Sequence, residues 1–323
     1  MGTLRLMVLV APRPLQRPTS GAAAAGAGLV GGGGSEVLAL LRDTSARPSF
    51  DPGLAGGLRA WLEDAAYGVV ASRGDLAPPL VLGPRQVLGS PPGPDGADGH
   101  GDRDGVLSED MVTSRLVYAL FRRLVVDGAV DNPLGDALDA CRADGPGGAG
   151  AAMVAAVEAL DEPALAALAT VLSIHAAHLA DLVPRFAAAW MPRTDDRVAI
   201  PLAGGRIVLH GVFDLLVGLP RADAASLCAL GLCTGGSWAR ARRSLHYLAL
   251  LETLRSGTPP FRLALLETGS GRYGVEDVRE EHLRALASHL AAWLGAVADD
   301  AHGDVGGVAG VGREARMAGT ERG

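Results

Sequence analysis

At Trp190 the spacing of apolar residues changes period, and this change limits the possible folds more than any other feature of the chain. Upstream, Val112, Leu116, Val117, Leu120, Phe121 and Leu124 recur at three- and four-residue intervals behind Ser108-Glu109-Asp110, the mark of a capped amphipathic helix. Further helices are predicted from Ser35 to Arg42, through Leu58, Trp61, Leu62 and Ala65, from Pro133 to Cys141, and from Ala151 to Phe186 with a break near Glu162-Pro163. Downstream, Val198–Leu202 and Arg206–Val217 read as strands joined at Gly204-Gly205, a two-residue turn suited to a hairpin. A short apolar run (Leu227–Leu232), a helix (Trp238–Arg255), a strand (Phe261–Glu267) and a last helix (Glu280–Ala296) follow. The expected fold is α/β: a helical N-terminal half, then a core with a small mixed sheet flanked by helices.

Composition sets what such a core is made of. Aromatic residues are only 4% of the chain against 48% hydrophobic in all, so Leu, Val and Ala must fill the interior. The Gly-rich first 34 residues read as a flexible lead-in, 35–189 as the helical region, 190–297 as the core and 298–323 as a flexible tail. Within the helical region, 90–106 is dense in Gly, Pro and Asp with almost nothing to bury and reads as a disordered linker; its Asp-Gly pattern lacks the closing Glu of a calcium loop. No run approaches 18 apolar residues, so no membrane span is expected. Cys141, Cys228 and Cys233 form no paired frame, which suits a cytoplasmic setting.

Charge and side-chain chemistry narrow the function. All 29 basic residues are Arg, since the chain contains no Lys. Any mechanism that needs an amine of adjustable pKa is therefore closed to it. The net charge of −7 argues against a general nucleic-acid coat and leaves room only for a local basic patch. Gly211-Val212-Phe213-Asp214 places a carboxylate late in an apolar strand, where an ionised acid is costly unless paired or metal-bound; the plain alternative is an outward-facing Asp at the hairpin end.

The segment Val208–Leu283 resembles the PD-(D/E)XK nuclease superfamily in its RecB-like branch, where a G-x-x-D strand is followed by a buried strand ending acid-x-Lys-[ST]-Gly, then a helix and another strand. Here the second motif reads Gly231-Leu232-Cys233-Thr234-Gly235, so Gly231 stands at the acid position and Cys233 at the lysine position, while Thr234 and Gly235 keep the turn. The helical Q-x-x-x-Y pair falls on Ser244 and Leu248, with Tyr247 one residue off. The resemblance implies a restriction-endonuclease-like core in which Asp214 is a vestigial catalytic residue. It also implies that a histidine of a preceding helix, His175 or the neighbouring His178, would join Asp214 at a weak metal position.

Cofactors are not expected, with Mg²⁺ or Mn²⁺ the ions an active nuclease would use. Arg240, Arg242 and Arg243 beside Trp238 form the candidate nucleic-acid-binding group, against the alternative of a solvated helix face. The leading expectation is a catalytically inactive nuclease-like protein that binds DNA or partners within a DNA-processing assembly. The rivals are an active metal-dependent endonuclease with an acid relocated to Glu252 or Glu267, and a protein-interaction module with no nucleic-acid role.

Overall fold

A computed structural model describes residues 41, 48–74, 77–89, 108–143, 145, 149–182, 190–219 and 225–314, with side chains as far as 299. Helix α1 (Leu54–Arg73) buries Leu54, Leu58, Leu62, Ala66 and Val69, a stripe at three- and four-residue spacing that packs on the last helix. Strand β1 (Leu80–Leu82) and the single turn α2 (Pro84–Val87) follow. Helix α3 (Glu109–Asp127) starts where the Ser108 hydroxyl accepts the Met111 N–H at 3.3 Å and stops at Gly128, whose φ of +78° suits only a residue without a Cβ. Helices α4 (Pro133–Ala143), α5 (Ala149–Glu158) and α6 (Glu162–Leu182) pack with α3 into one layer.

The remaining elements are β2 (Arg193–Leu202), β3 (Ile207–Val217), β4 (Cys228–Cys233), α7 (Trp238–Ser256), β5 (Arg262–Glu267), β6 (Arg272–Asp277) and α8 (Glu280–Glu314). The sheet has six strands in the order β1-β3-β4-β5-β6, with β2 pairing the other edge of β3. β1 and β3 are parallel, as are β4 and β5; β2–β3, β3–β4 and β5–β6 are antiparallel. The parallel β4–β5 pair needs a crossover, and α7 supplies it. Every residue of β4 is buried, because helices cover both faces: α1, α7 and α8 on one, α3 to α6 on the other.

The fold is thus α/β with a mixed six-stranded sheet flanked by eight helices among the described residues, as the change of period at Trp190 implies. Several details differ from expectation. One strand, β1, comes from the region that reads as helical, and α1 and α2 pack on the core. The hairpin turns through a short 3₁₀ segment (Ala203–Gly205), and β2 begins at Arg193. β6 is an added strand, too short and polar to stand out in the sequence. α8 runs on to Glu314 through the segment expected as tail.

The stretch Glu162–Asp181 of α6 has the length and mean hydropathy (1.5) of a membrane span. Its buried residues Leu168, Leu172, Ala176 and Leu179 pack in the same cluster as α3. The predicted helix at 35–42 lies outside the described residues apart from the helical, buried Leu41. The lead-in and the 90–106 linker lie wholly outside them.

Candidate functional site

β3 is flanked unevenly, and the unevenness makes the site. On one edge it pairs β1 through residues 207–209 and β4 through 215–217, which leaves His210 to Asp214 without a ladder partner there. On the other edge the β2 ladder holds one register from Arg193↔Leu216 to Leu202↔Ile207 but skips the Asp195–Asp214 position, where Asp195 has φ +53°. Gly211 is needed because α7 crosses the strand closely: a Cβ there would lie 2.3 Å from Leu248 Cδ2.

In the gap, the half-buried Asp214 turns its carboxylate to β4 and accepts the Leu232 N–H at 2.7 Å. Burial pushes its pKa up to about 7, helped by the charge of Asp195 and opposed by the hydrogen bonds from Leu232 and Tyr118. The Tyr118 hydroxyl donates to the Leu232 carbonyl at 3.3 Å, and its own pKa is raised first by burial and then by Asp214. Ser114 and Thr234 share a hydroxyl hydrogen bond of 2.6 Å, and Arg122 lies 3.3 Å from Asp195. Sequence reasoning missed Ser114, Tyr118, Arg122 and Asp195. The signal was there in α3: three polar residues four apart on a helix whose other buried positions are apolar.

Gly231 and Cys233 lie on β4, on either side of the Leu232 N–H that Asp214 accepts, and their surroundings are apolar. A Cβ at Gly231 would meet Leu265 Cδ1 at 3.4 Å and Leu245 Cδ1 at 3.5 Å. The Cys233 thiol is pushed up by burial and points its S–H toward the Gly235 carbonyl at 3.5 Å, so it is neither charged nor nucleophilic at neutral pH. Tyr247 donates to the Leu82 carbonyl at 3.0 Å and ties α7 to β1, while Leu248 packs on Gly211.

His175 and His178 do share a helix face, but both are turned onto the β5–β6 turn. His175 Nδ1 lies 2.8 Å from Thr268 Oγ1, and His178 Nδ1 donates to the Thr268 carbonyl at 2.7 Å. Thr268 in turn donates its N–H to the Cys233 carbonyl at 3.0 Å. Burial, then the neighbouring His178, lowers the pKa of His175 and favours a neutral ring. Among the described residues no three or more His, Cys, Asp or Glu side chains are grouped as a metal site would require.

Of the two relocated-acid candidates, Glu267 neighbours Cys233 across the β4–β5 ladder and is engaged by Ser270 at 2.6 Å and Arg272 at 3.3 Å. Glu252 is buried against Arg255 at the far end of α7.

The three arginines do not form one group. Arg240 and Arg243 are exposed and have no ion-pair partner among the described residues. Arg242 instead faces β6 and grips Glu276 with Nε at 2.9 Å and with Nη2. Burial alone would raise the Glu276 carboxyl, but hydrogen bonds from His246 (2.9 Å) and Arg242 outweigh it and hold the pKa at about 2. Arg242 and Glu276 border a small surface hollow lined also by Leu245, Leu263 and Leu265. Trp238 closes its other side, with the Arg272 guanidinium 5.9 Å from the ring centroid.

Comparison with protein-family models, with curated proteins and with solved structures returns no match.

Proposed function

We propose that this chain is a PD-(D/E)XK-type core of the RecB-like kind that has lost metal-dependent cleavage and acts by holding DNA, alone or within a DNA-processing assembly. The succession supports the frame: a hairpin strand bearing Gly211 and Asp214, a buried strand ending Thr234-Gly235, a crossover helix and a parallel strand. The observation that carries the loss of cleavage is Gly231. The position where the frame calls for a second carboxylate opens onto Leu245 and Leu265, surroundings that disfavour a charged ligand and offer nothing to pair it. Cys233 supplies no cation at the next position, and loss of a single preorganised donor already costs about 10²–10³ in rate.

DNA contact then falls to Arg240 and Arg243, the exposed members of the arginine group, on the α7 turn that follows Thr234-Gly235. Two phosphate contacts imply modest affinity with a shallow salt slope. Anisotropy titration of a duplex from about 50 to 200 mM salt measures both. Arg240→Ala with Arg243→Ala is expected to weaken binding and lower the slope of log K against log salt by about 2. Arg242→Ala is expected to leave the slope unchanged, since that guanidinium is committed to Glu276. Absence of binding at about 50 mM salt, or an unaltered slope in the double variant, removes the DNA reading and leaves a protein partner as the better account.

A further inference from the structure

β6 is the outermost strand on its side of the sheet, and among the described residues only β5 pairs with it. The ladder with β5 fixes which of its backbone groups are already engaged. The Val278 N–H goes to the Phe261 carbonyl on the β5 side, and antiparallel bonding alternates, so Arg272, Gly274 and Glu276 turn their N–H and C=O groups inward. Tyr273, Val275 and Asp277 turn theirs outward. Bulges and Pro, two devices that close an edge to another strand, are absent from β6, and its central residues Gly274, Val275 and Glu276 are partly exposed. Charge is a third device, and here its arrangement admits a copy of the same strand. Arg272 stands at one end and Glu276 and Asp277 at the other, so a second β6 running antiparallel meets opposite charge.

We infer that two copies of this chain pair through β6, antiparallel about a two-fold axis at Gly274, to make one continuous sheet. In that register Tyr273 and the partner's Val275 exchange both N–H···O bonds, and symmetry repeats the exchange. A shift by one residue would set outward groups against inward ones and lose these bonds. Arg272 lies directly opposite the partner's Glu276. That carboxylate is fixed in place by Arg242 Nε and His246, each at 2.9 Å, while Arg272 is 46% exposed and holds Glu267 at 3.3 Å.

At the axis Gly274 faces itself. Trp238 lies over this glycine, where a Cβ would sit 3.1 Å from the ring, so pairing brings two half-buried indoles together and removes their remaining apolar surface from water. The exposed charge pairs set register more than affinity, and a single strand pair is a small interface. Dissociation is therefore expected in the range of about 1–100 µM.

Sedimentation velocity of the full chain from about 1 to 200 µM tests this, and the wild type is expected to move from one chain toward two across that range. Val275→Pro deletes an outward N–H on an edge strand, where Pro is tolerated, and is expected to weaken the dimer at least about 10-fold with an unchanged circular dichroism spectrum. Arg272→Glu sets like charges opposite each other at both ends of the pair and is expected to weaken it by a similar factor. This exposed substitution decides the matter independently of any effect of Pro on folding. The inference is overturned by a single-chain mass throughout the range, by assembly beyond two chains, or by a dimer that Arg272→Glu leaves intact.

Discussion

Arg255→Ala is expected to cost about 3–5 kcal/mol of folding stability at pH 8, the largest loss expected from any single side chain named above. Glu252 is only 1% exposed, and its carboxylate is held by the Arg255 guanidinium, with Nε at 2.8 Å. Arg255 also reaches Asp196 Oδ1 at 2.7 Å and the Arg197 carbonyl at 3.1 Å, and Arg193 closes the network from the other side of Asp196 at 2.7 Å. Together these contacts fasten the C-terminal end of α7 to the edge strand β2.

Deleting Arg255 leaves a buried acid with no partner, which is why the expected cost exceeds that of a surface ion pair. Burial already raises the Glu252 pKa against the pull of Arg255, and removing Arg255 raises it further. A raised folded-state pKa makes stability fall as pH rises, so the deficit at pH 5 is expected to be smaller than at pH 8. Glu252→Gln in the same chain is expected to recover much of the loss. Urea denaturation of both variants at the two pH values is the check, and a loss under about 1 kcal/mol, typical of an exposed pair, speaks against the network.

The second large effect has the opposite sign. Asp214→Asn is expected to stabilise the protein at pH 8 by on the order of 2–4 kcal/mol, the upper end being the full free energy of a shift from 3.8 to about 7. An amide oxygen still accepts the Leu232 N–H, so the substitution removes the charge and keeps the bond. With the folded pKa above the unfolded one, the wild-type penalty is absent below 3.8, grows between 3.8 and 7, and is complete above 7. The two proteins should therefore converge at low pH and diverge at high pH, in urea midpoint with equal m-values. Destabilisation by Asn at pH 8 contradicts this account of the gap.

How much of this was legible from sequence depends on the range of the interaction. Period and turn chemistry are local, so α3, α4, α7 and the β2–β3 hairpin were recoverable from residues such as Ser108, Gly204 and Leu245. β1 was not, because Leu80-Val81-Leu82 becomes a strand only by pairing with Ile207–Leu209, more than a hundred residues away. The same limit applies at the site. Asp214 stood out as an acid in an apolar strand. Tyr118 and Asp195 are brought to it by tertiary packing and by a left-handed residue in a strand, neither of which has a motif.

Arg242 could not be told from Arg240 and Arg243 without knowing which turn of α7 faces β6, where Glu276 waits. The histidines show the converse. Their shared face on α6 was read correctly from spacing, but the acceptor that engages them, Thr268, lies 90 residues on.

Incubation of the purified full chain with supercoiled and linear DNA in Mg²⁺ and in Mn²⁺ tests most directly whether this core has lost its chemistry. The expected result is no metal-dependent strand cleavage in either ion, with identical traces for the wild type and Asp214→Ala. Cleavage by the wild type that disappears in Asp214→Ala contradicts the account, since it requires a working site built on Asp214 despite the apolar wall at Gly231.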